Sequence, residues 1–252
     1  MSGLAVANRD IGAGRGQGWR PGFSHMAAGA ALALLAAPVS ACPLALVLAL
    51  DVSASVDEQE FRLQTHGTAA ALTSPPVQAA LLAQAQAPVA VAVTLWAGVA
   101  EQRVVAGWHR LSGPDDIAAL AARIAATPRP DWAGRTATAA ALVHAAGLLA
   151  DAPPCGGQVI DLSTDDAANE GADPGALNLG PVTVNALAVG GDLPLDHGSR
   201  ASEGGALTRW LEARVIRGPG AFVEGADDWR DFAAAMERKL LREVMGQTVA
   251  MR

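Results

Sequence analysis

The sequence predicts an α/β fold: a mostly parallel central sheet, doubly wound with helices on both faces, with one antiparallel edge strand. Three observations predict it. The run Leu44-Ala45-Leu46-Val47-Leu48-Ala49-Leu50 is apolar at every position, as a central strand covered on both faces requires. A second extended run, Gln158 to Asp165, ends in a carboxylate just as the first runs into Asp51. Helical and extended segments alternate along the rest of the chain, which is the signature of a layered α/β unit.

Each element has its own justification. The first strand gives way to Asp51-Val52-Ser53-Ala54-Ser55, and Val56-Asp57-Glu58-Gln59-Glu60 then reads as the acidic start of a helix from Glu58 to Leu72. Ser74-Pro75-Pro76 ends that helix before a short helical piece near Val77 to Ala85. Pro88 introduces the β-branched run Val89 to Trp96, with Trp96 read as a core aromatic, and Glu101 to Val105 follows as the edge strand. Asp115 to Ala126 is the next helix, with Ser112 or Pro114 near its start. Beyond the loop Thr127-Pro128-Arg129-Pro130, the segment Gly134-Arg135-Thr136-Ala137-Thr138 opens an Ala-rich helix from Ala137 to Ala150. Pro181 to Val189 is a further strand, and Gly190 to Gly205 is a polar loop. Asp227 to Met245 closes the chain as an amphipathic helix with Trp229, Phe232, Met236, Leu240 and Val244 on the face that packs on the sheet.

Ligands of open α/β sheets bind at the carboxyl ends of strands, and two strands here end in Asp51 and Asp165. Ser53 and Ser55 follow Asp51, and Thr136 sits in a loop at a helix start, so three oxygen-bearing loops are expected to converge on one sheet edge. Oxygen donors alone suit Mg²⁺, Mn²⁺ or Ca²⁺ and offer no soft ligand to zinc or copper. Taken alone, Asp51 to Ser55 also reads as an ordinary turn and helix cap.

Asp51-Val52-Ser53-Ala54-Ser55, the distant Thr136 and the later Asp165 resemble, in order and spacing, the metal-ion-dependent adhesion site of von Willebrand factor type A domains. The resemblance covers about Leu44 to Val244. It is closest to a bacterial branch of unknown function, matched by Trp96-Ala97-Gly98, by Val215 to Val223 and by the Phe232 to Val244 helix. It implies that Ser53, Ser55 and Thr136 touch a divalent cation through hydroxyls, with Asp51 and Asp165 coordinating directly or through water. Two positions depart from the family pattern. Asp166 stands where the family often has Gly, adding negative charge beside the proposed ion, and Ala139 replaces a common Gly within a helix that tolerates it.

The family topology also makes the strands ending at Asp51 and Asp165 parallel neighbours. Cys42 and Cys155, the only cysteines, would then meet at the edge opposite the metal, where a disulfide is expected in an oxidising compartment. The competing reading is that Val39-Ser40-Ala41-Cys42 is a bacterial lipobox and Cys42 a lipidated first residue. The two readings exclude each other, and lipidated Cys42 would be the only route to membrane attachment.

Residues 1–41 read as a secretory leader: Arg9, Arg15 and Arg20 precede the apolar stretch Met26 to Ala37, and small residues follow. A transmembrane helix from Ala27 through Leu50 is the rival, broken by Pro38 and Pro43. Residues 42–252 form the single domain, and the protein is expected to be periplasmic or otherwise extracytoplasmic. A net charge of −7, with Lys239 as the only lysine, lacks the electrostatic footprint of nucleic-acid binding.

The chemistry then points to a non-enzymatic module that uses a divalent cation, Mg²⁺ first with Mn²⁺ or Ca²⁺ as alternatives, to bridge to an acidic side chain on a protein partner. A Mg²⁺-dependent phosphohydrolase is the main rival. Its Asp-x-Asp-x-Thr pattern fails at Ser53, and no lysine lies near either acidic segment. A structural domain without metal is the third reading. Nucleophile-elbow, zinc-protease and dinucleotide motifs are missing, and His66, His109, His144 and His197 stand isolated in sequence.

Overall fold

The computed structural model describes residues 42–83, 87–132, 134–190 and 205–250. The expected leader (1–41), His197 and most of the Gly190 to Gly205 loop lie outside the described residues. The elements are β1 (Cys42–Asp51), α1 (Glu58–Thr73), α2 (Pro75–Leu81), β2 (Ala90–Trp96), β3 (Gln102–Arg110), α3 (Pro114–Ala125), α4 (Thr138–Ala150), β4 (Cys155–Thr164), β5 (Thr183–Val189), α5 (Ala206–Arg214), β6 (Val223–Ala226) and α6 (Phe232–Ala250). The sheet order is β3-β2-β1-β4-β5-β6, parallel throughout except for the antiparallel β2–β3 pair at one edge.

Strand β1 lies at the centre with every residue buried. Its alternation explains the two layers. Leu44, Leu46, Leu48 and Leu50 face a core shared with α1, α2, α3 and α6, whereas Ala45, Val47 and Ala49 face α4 and α5. The second face is built from small side chains, Ala92 and Ala186 among them, which suits the close seating of the Ala-rich α4. The expected apolar face of α6 is buried: Trp229, Phe232, Met236, Leu240 and Val244 all enter the first core.

Several boundaries differ from expectation for local reasons. Helix α2 begins at Pro75, since proline suits the first turn of a helix, where its missing N–H is not needed. Strand β3 runs on to Arg110 because β2 offers a ladder along its whole length, with an irregularity near Val93. Helix α6 starts at Phe232, not Asp227. The Asp228 carboxylate accepts from the Arg230 and Asp231 amides at 2.7 and 3.2 Å, which holds a turn just before the helix. Helix α5 and strand β6 were not expected at all. The Val215 to Val223 segment that leads into β6 is pinned by Arg217, which donates to the Leu177 and Pro174 carbonyls at 2.8 Å each. Gly218 has φ of +91°, and a Cβ there would lie 2.8 Å from Thr183, so the turn requires glycine.

Cys42 and Cys155 are register partners on β1 and β4 and form a disulfide, with Cα atoms 4.6 Å apart. In this structure Cys42 is therefore not free to carry lipid. Near Cys155 a cavity of about 540 Å³ opens between the amino ends of β4 and β5 and the last turns of α6, lined by Thr183, Asn185, Phe222, Arg242 and Glu243 among others.

The sheet carries one buried ionic cluster. Lys239 on α6, fully buried, lies 2.7 Å from both Asp161 on β4 and Glu243 on its own helix, and Asn185 on β5 donates to Glu243 at 2.9 Å. Burial, with the Asp161 charge adding to it, pushes the Glu243 carboxyl up to about 8. Because the folded state then holds a proton that the unfolded chain releases, stability is expected to fall as pH rises from the ordinary carboxyl range to about 8. Glu243→Gln should make that slope shallower, read as urea midpoints between about pH 5 and 9.

Candidate metal centre

The order of the strands reverses around β1, which has β2 on one side and β4 on the other, so the carboxyl ends of β1 and β4 border a crevice. Strand β1 delivers Asp51 there, fully buried, and its carbonyl accepts from the buried Gln64 amide of α1 at 2.7 Å. The Asp51 carboxylate accepts from the Ser53 amide at 2.7 Å and from the Thr164 hydroxyl at 2.6 Å. The loop then turns into α1, whose start is fixed by Asp57 and Glu60 in a reciprocal capping box. Arg129 clamps the same loop by donating to the Val56 carbonyl at 2.9 and 3.2 Å.

Four of the sequence-predicted donor residues, Asp51, Ser53, Ser55 and Asp165, are joined by hydrogen bonds. Ser53 Oγ lies 3.2 Å from Ser55 Oγ, and Ser55 Oγ donates to Asp165 at 2.8 Å across a sequence separation of 110. The Thr136 loop joins them through the Ala54 amide, which donates to the Gly134 carbonyl at 3.0 Å. Thr136 is itself held by Asn169, whose side chain accepts from the Thr136 amide at 2.9 Å and approaches its hydroxyl at 3.4 Å. Gly134 is required by close approach: a Cβ there would overlap the Glu101 carboxylate and sit 2.7 Å from the Gly98 nitrogen.

Sequence reasoning missed three supporting residues. Thr164 had a usable signal, a hydroxyl at the end of β4 directly before Asp165. Gln64 and Asn169 had none, since each reaches the loops only through the fold.

Electrostatically the pole is short of positive charge. Burial is the main cause that pushes the Asp51 carboxyl up to about 6, against the opposing hydrogen bonds from Thr164 and Ser53. Burial also pushes Asp165 up to about 8, with the neighbouring Asp51 charge adding to it. Asp166, which caps its own turn by accepting from the Ala167 amide at 2.8 Å, raises both further. Among the described residues, no Lys or Arg forms an ion pair with Asp51 or Asp165. Nor do the described residues hold a cluster of three or more His, Cys, Asp or Glu side chains suited to a metal; the donors here are two carboxylates among hydroxyls. That set fits a hard divalent cation, whose charge would offset the buried Asp51 and half-buried Asp165 carboxylates.

The sheet order and the helices on both faces are those of a von Willebrand factor type A-like fold, with the Asp-x-Ser-x-Ser loop at the carboxyl end of β1. The chain belongs to the family described as "Protein of unknown function (DUF1194)", whose model matches residues 41–248.

Solved structures agree on the fold. Proximal thread matrix protein 1 from the mussel byssus, solved with a zinc-occupied metal-ion-dependent adhesion site, is 15% identical over 81% of this chain and 48% of its own, with a TM-score of 0.58. The pilus adhesin SpaC from Lactobacillus rhamnosus GG is 16% identical over 82% of this chain and 30% of its own, with a TM-score of 0.55. A von Willebrand factor type A protein from Catenulispora acidiphila is 16% identical over 81% and 43%, with a TM-score of 0.53. The chain thus spans less than half the length of each of these. Comparison with curated proteins gives no match.

Proposed function

We propose that the chain is an exported, non-enzymatic binding module that engages a protein partner through a divalent cation held by Asp51, Ser53, Ser55, Thr136 and Asp165. The observation that carries this reading is the convergence of the Asp51, Ser53, Ser55 and Asp165 oxygens beside the Thr136 loop, with one buried and one half-buried carboxylate that, among the described residues, no Lys or Arg pairs with. When bound, the cation would supply an electrophilic point to which an acidic side chain from outside can attach. The three hydroxyls matter because they are neutral: they fill ligand positions without cancelling the attraction for that incoming carboxylate. Mg²⁺ is the preferred ion on the hardness of the donors. The zinc-occupied motif of the mussel protein makes zinc a necessary competitor in any test.

Export is supported by the disulfide, a bond that persists in oxidising compartments, and by the leader-like character of residues 1–41. Among the described residues no helix is long and apolar enough to cross a membrane.

The test is thermal unfolding of metal-stripped protein titrated with Mg²⁺, Mn²⁺, Ca²⁺ and Zn²⁺. At about 100 times its Kd a bound ion adds about 2.7 kcal/mol, a rise in Tm of about 5 to 11 °C for a domain of this size. Ser53→Ala and Asp51→Asn are expected to abolish the rise while leaving the metal-free fold intact. Melting that is indifferent to every ion overturns the metal reading. Mg²⁺-dependent hydrolysis of a phosphate ester that disappears in Asp51→Asn overturns the non-enzymatic one.

A further inference from the structure

Beside the metal pole lies a shallow groove of about 350 Å³ between the first turns of α4 and the loops that follow β2 and β4. Val99 and Val143 line it and are 51% and 55% exposed, and Ala140 and Leu177 extend the apolar wall. Only four large hydrophobic side chains are exposed among the described residues, and these are two of them. A third, Val104 at 42%, pairs in register with Thr94, whose hydroxyl meets His144 of the groove at 3.0 Å. Directly paired residues share a sheet face, so Val104 stands on the α4 side as well. Exposed apolar residues scattered singly need no explanation, but a cluster around one concavity marks a contact surface.

The groove is continuous with the candidate metal centre. The amides of Asn169 and Glu170 donate to the Thr136 carbonyl at 3.0 and 3.4 Å, and the Glu170 carboxylate accepts from the Val99 amide at 3.1 Å. Thr136 therefore shares its supporting loop with the groove wall. Val143 lies five positions beyond Thr138, the first residue of α4, about 7.5 Å along the helix axis. The groove also has little to offer a polar ligand. Gln102 donates to the Gly98 carbonyl at 2.7 Å, and His144, whose pKa burial lowers, is engaged with Thr94 at 3.0 Å.

From this juxtaposition the geometry points to a two-point recognition surface: the groove of Val99, Val143 and Leu177 takes an aliphatic side chain of the same protein partner whose acidic side chain meets the cation. This rests on the metal reading above and adds the partner's sequence chemistry. In an extended segment a residue advances about 3.3 Å, so the aliphatic residue stands two to four positions from the acidic one. A polysaccharide, rich in hydroxyls and without an aliphatic anchor, matches the groove poorly.

The experiment is selection of a random dodecapeptide display library on the full chain in Mg²⁺, eluting with chelator. The expected binders combine Asp or Glu with Leu, Ile, Val or Met two to four positions away. Val143→Asp and Val99→Asp should weaken them at least tenfold, whereas Val143→Ile should not. The Mg²⁺ rise in Tm should survive in all three variants, because none of these side chains is a proposed ligand. Chelator-sensitive binders with no aliphatic preference, or binders indifferent to both Asp variants, overturn the inference. So does a selection that yields no chelator-sensitive peptide, or chelator-sensitive retention on polysaccharide instead. Loss of the Tm rise in the unaltered chain would instead locate the failure in the metal reading.

Discussion

Lys239→Met is expected to destabilise the domain by about 3 to 5 kcal/mol, the cost of breaking a buried ion pair by removing one partner. Lys239 is the chain's only lysine and is fully buried, so its ammonium is not a solubility device. It sits 2.7 Å from Asp161 and 2.7 Å from Glu243, with the Phe222 ring 5.8 Å away, and ties α6 to β4. Lys239 is the cation that both acidic side chains meet, and removing its ammonium leaves Asp161 without an ion-pair partner in the interior. Urea unfolding at pH 7 checks this, and adding Asp161→Asn to Lys239→Met should recover much of the loss, because the stranded charge is gone. Equal loss in the single and double variants would mean that packing of the lysine stem, and not its charge, holds α6 in place.

Removing the disulfide is expected to cost about as much. In the chain-entropy account, a cross-link over so long a loop contributes about 4 to 5 kcal/mol, and Cys42 and Cys155 are separated by 113 positions. The paired Cys42→Ala and Cys155→Ala variant should show this in equilibrium unfolding, and intact mass of the unaltered protein should lie two hydrogens below the reduced chain. A diacylglycerol increment on Cys42 would instead restore the lipoprotein reading.

Much of the fold was legible because the central strands are unambiguous. Seven consecutive apolar residues from Leu44 to Leu50 fit only a strand buried on both faces in this context, and the structure extends it only to Cys42 and Asp51. Helix α5 was missed because its apolar face is short, with Leu207 and Leu211 as its buried positions. Strand β6 reads Val-Glu-Gly-Ala, a composition that carries no strand signal; it forms because the free edge of β5 from Ala186 to Val189 offers it a ladder. The candidate site divides in the same way. Asp51, Ser53 and Ser55 announce themselves as a local motif, and Asp165 is found by the symmetry of two strand ends. Asn169, which orients Thr136 through two contacts, is invisible in one dimension because its role exists only once the two loops meet.

The disulfide and the last turns of α6 lie at the amino-end pole, with Cys155 and Gly246 lining one cavity, while the Asp51 and Thr136 loops occupy the other pole. Strand β1 alone spans roughly 30 Å between them, at about 3.3 Å per residue. Cys42, where the described part of the chain begins, therefore lies at the pole opposite the Asp51 and Thr136 loops.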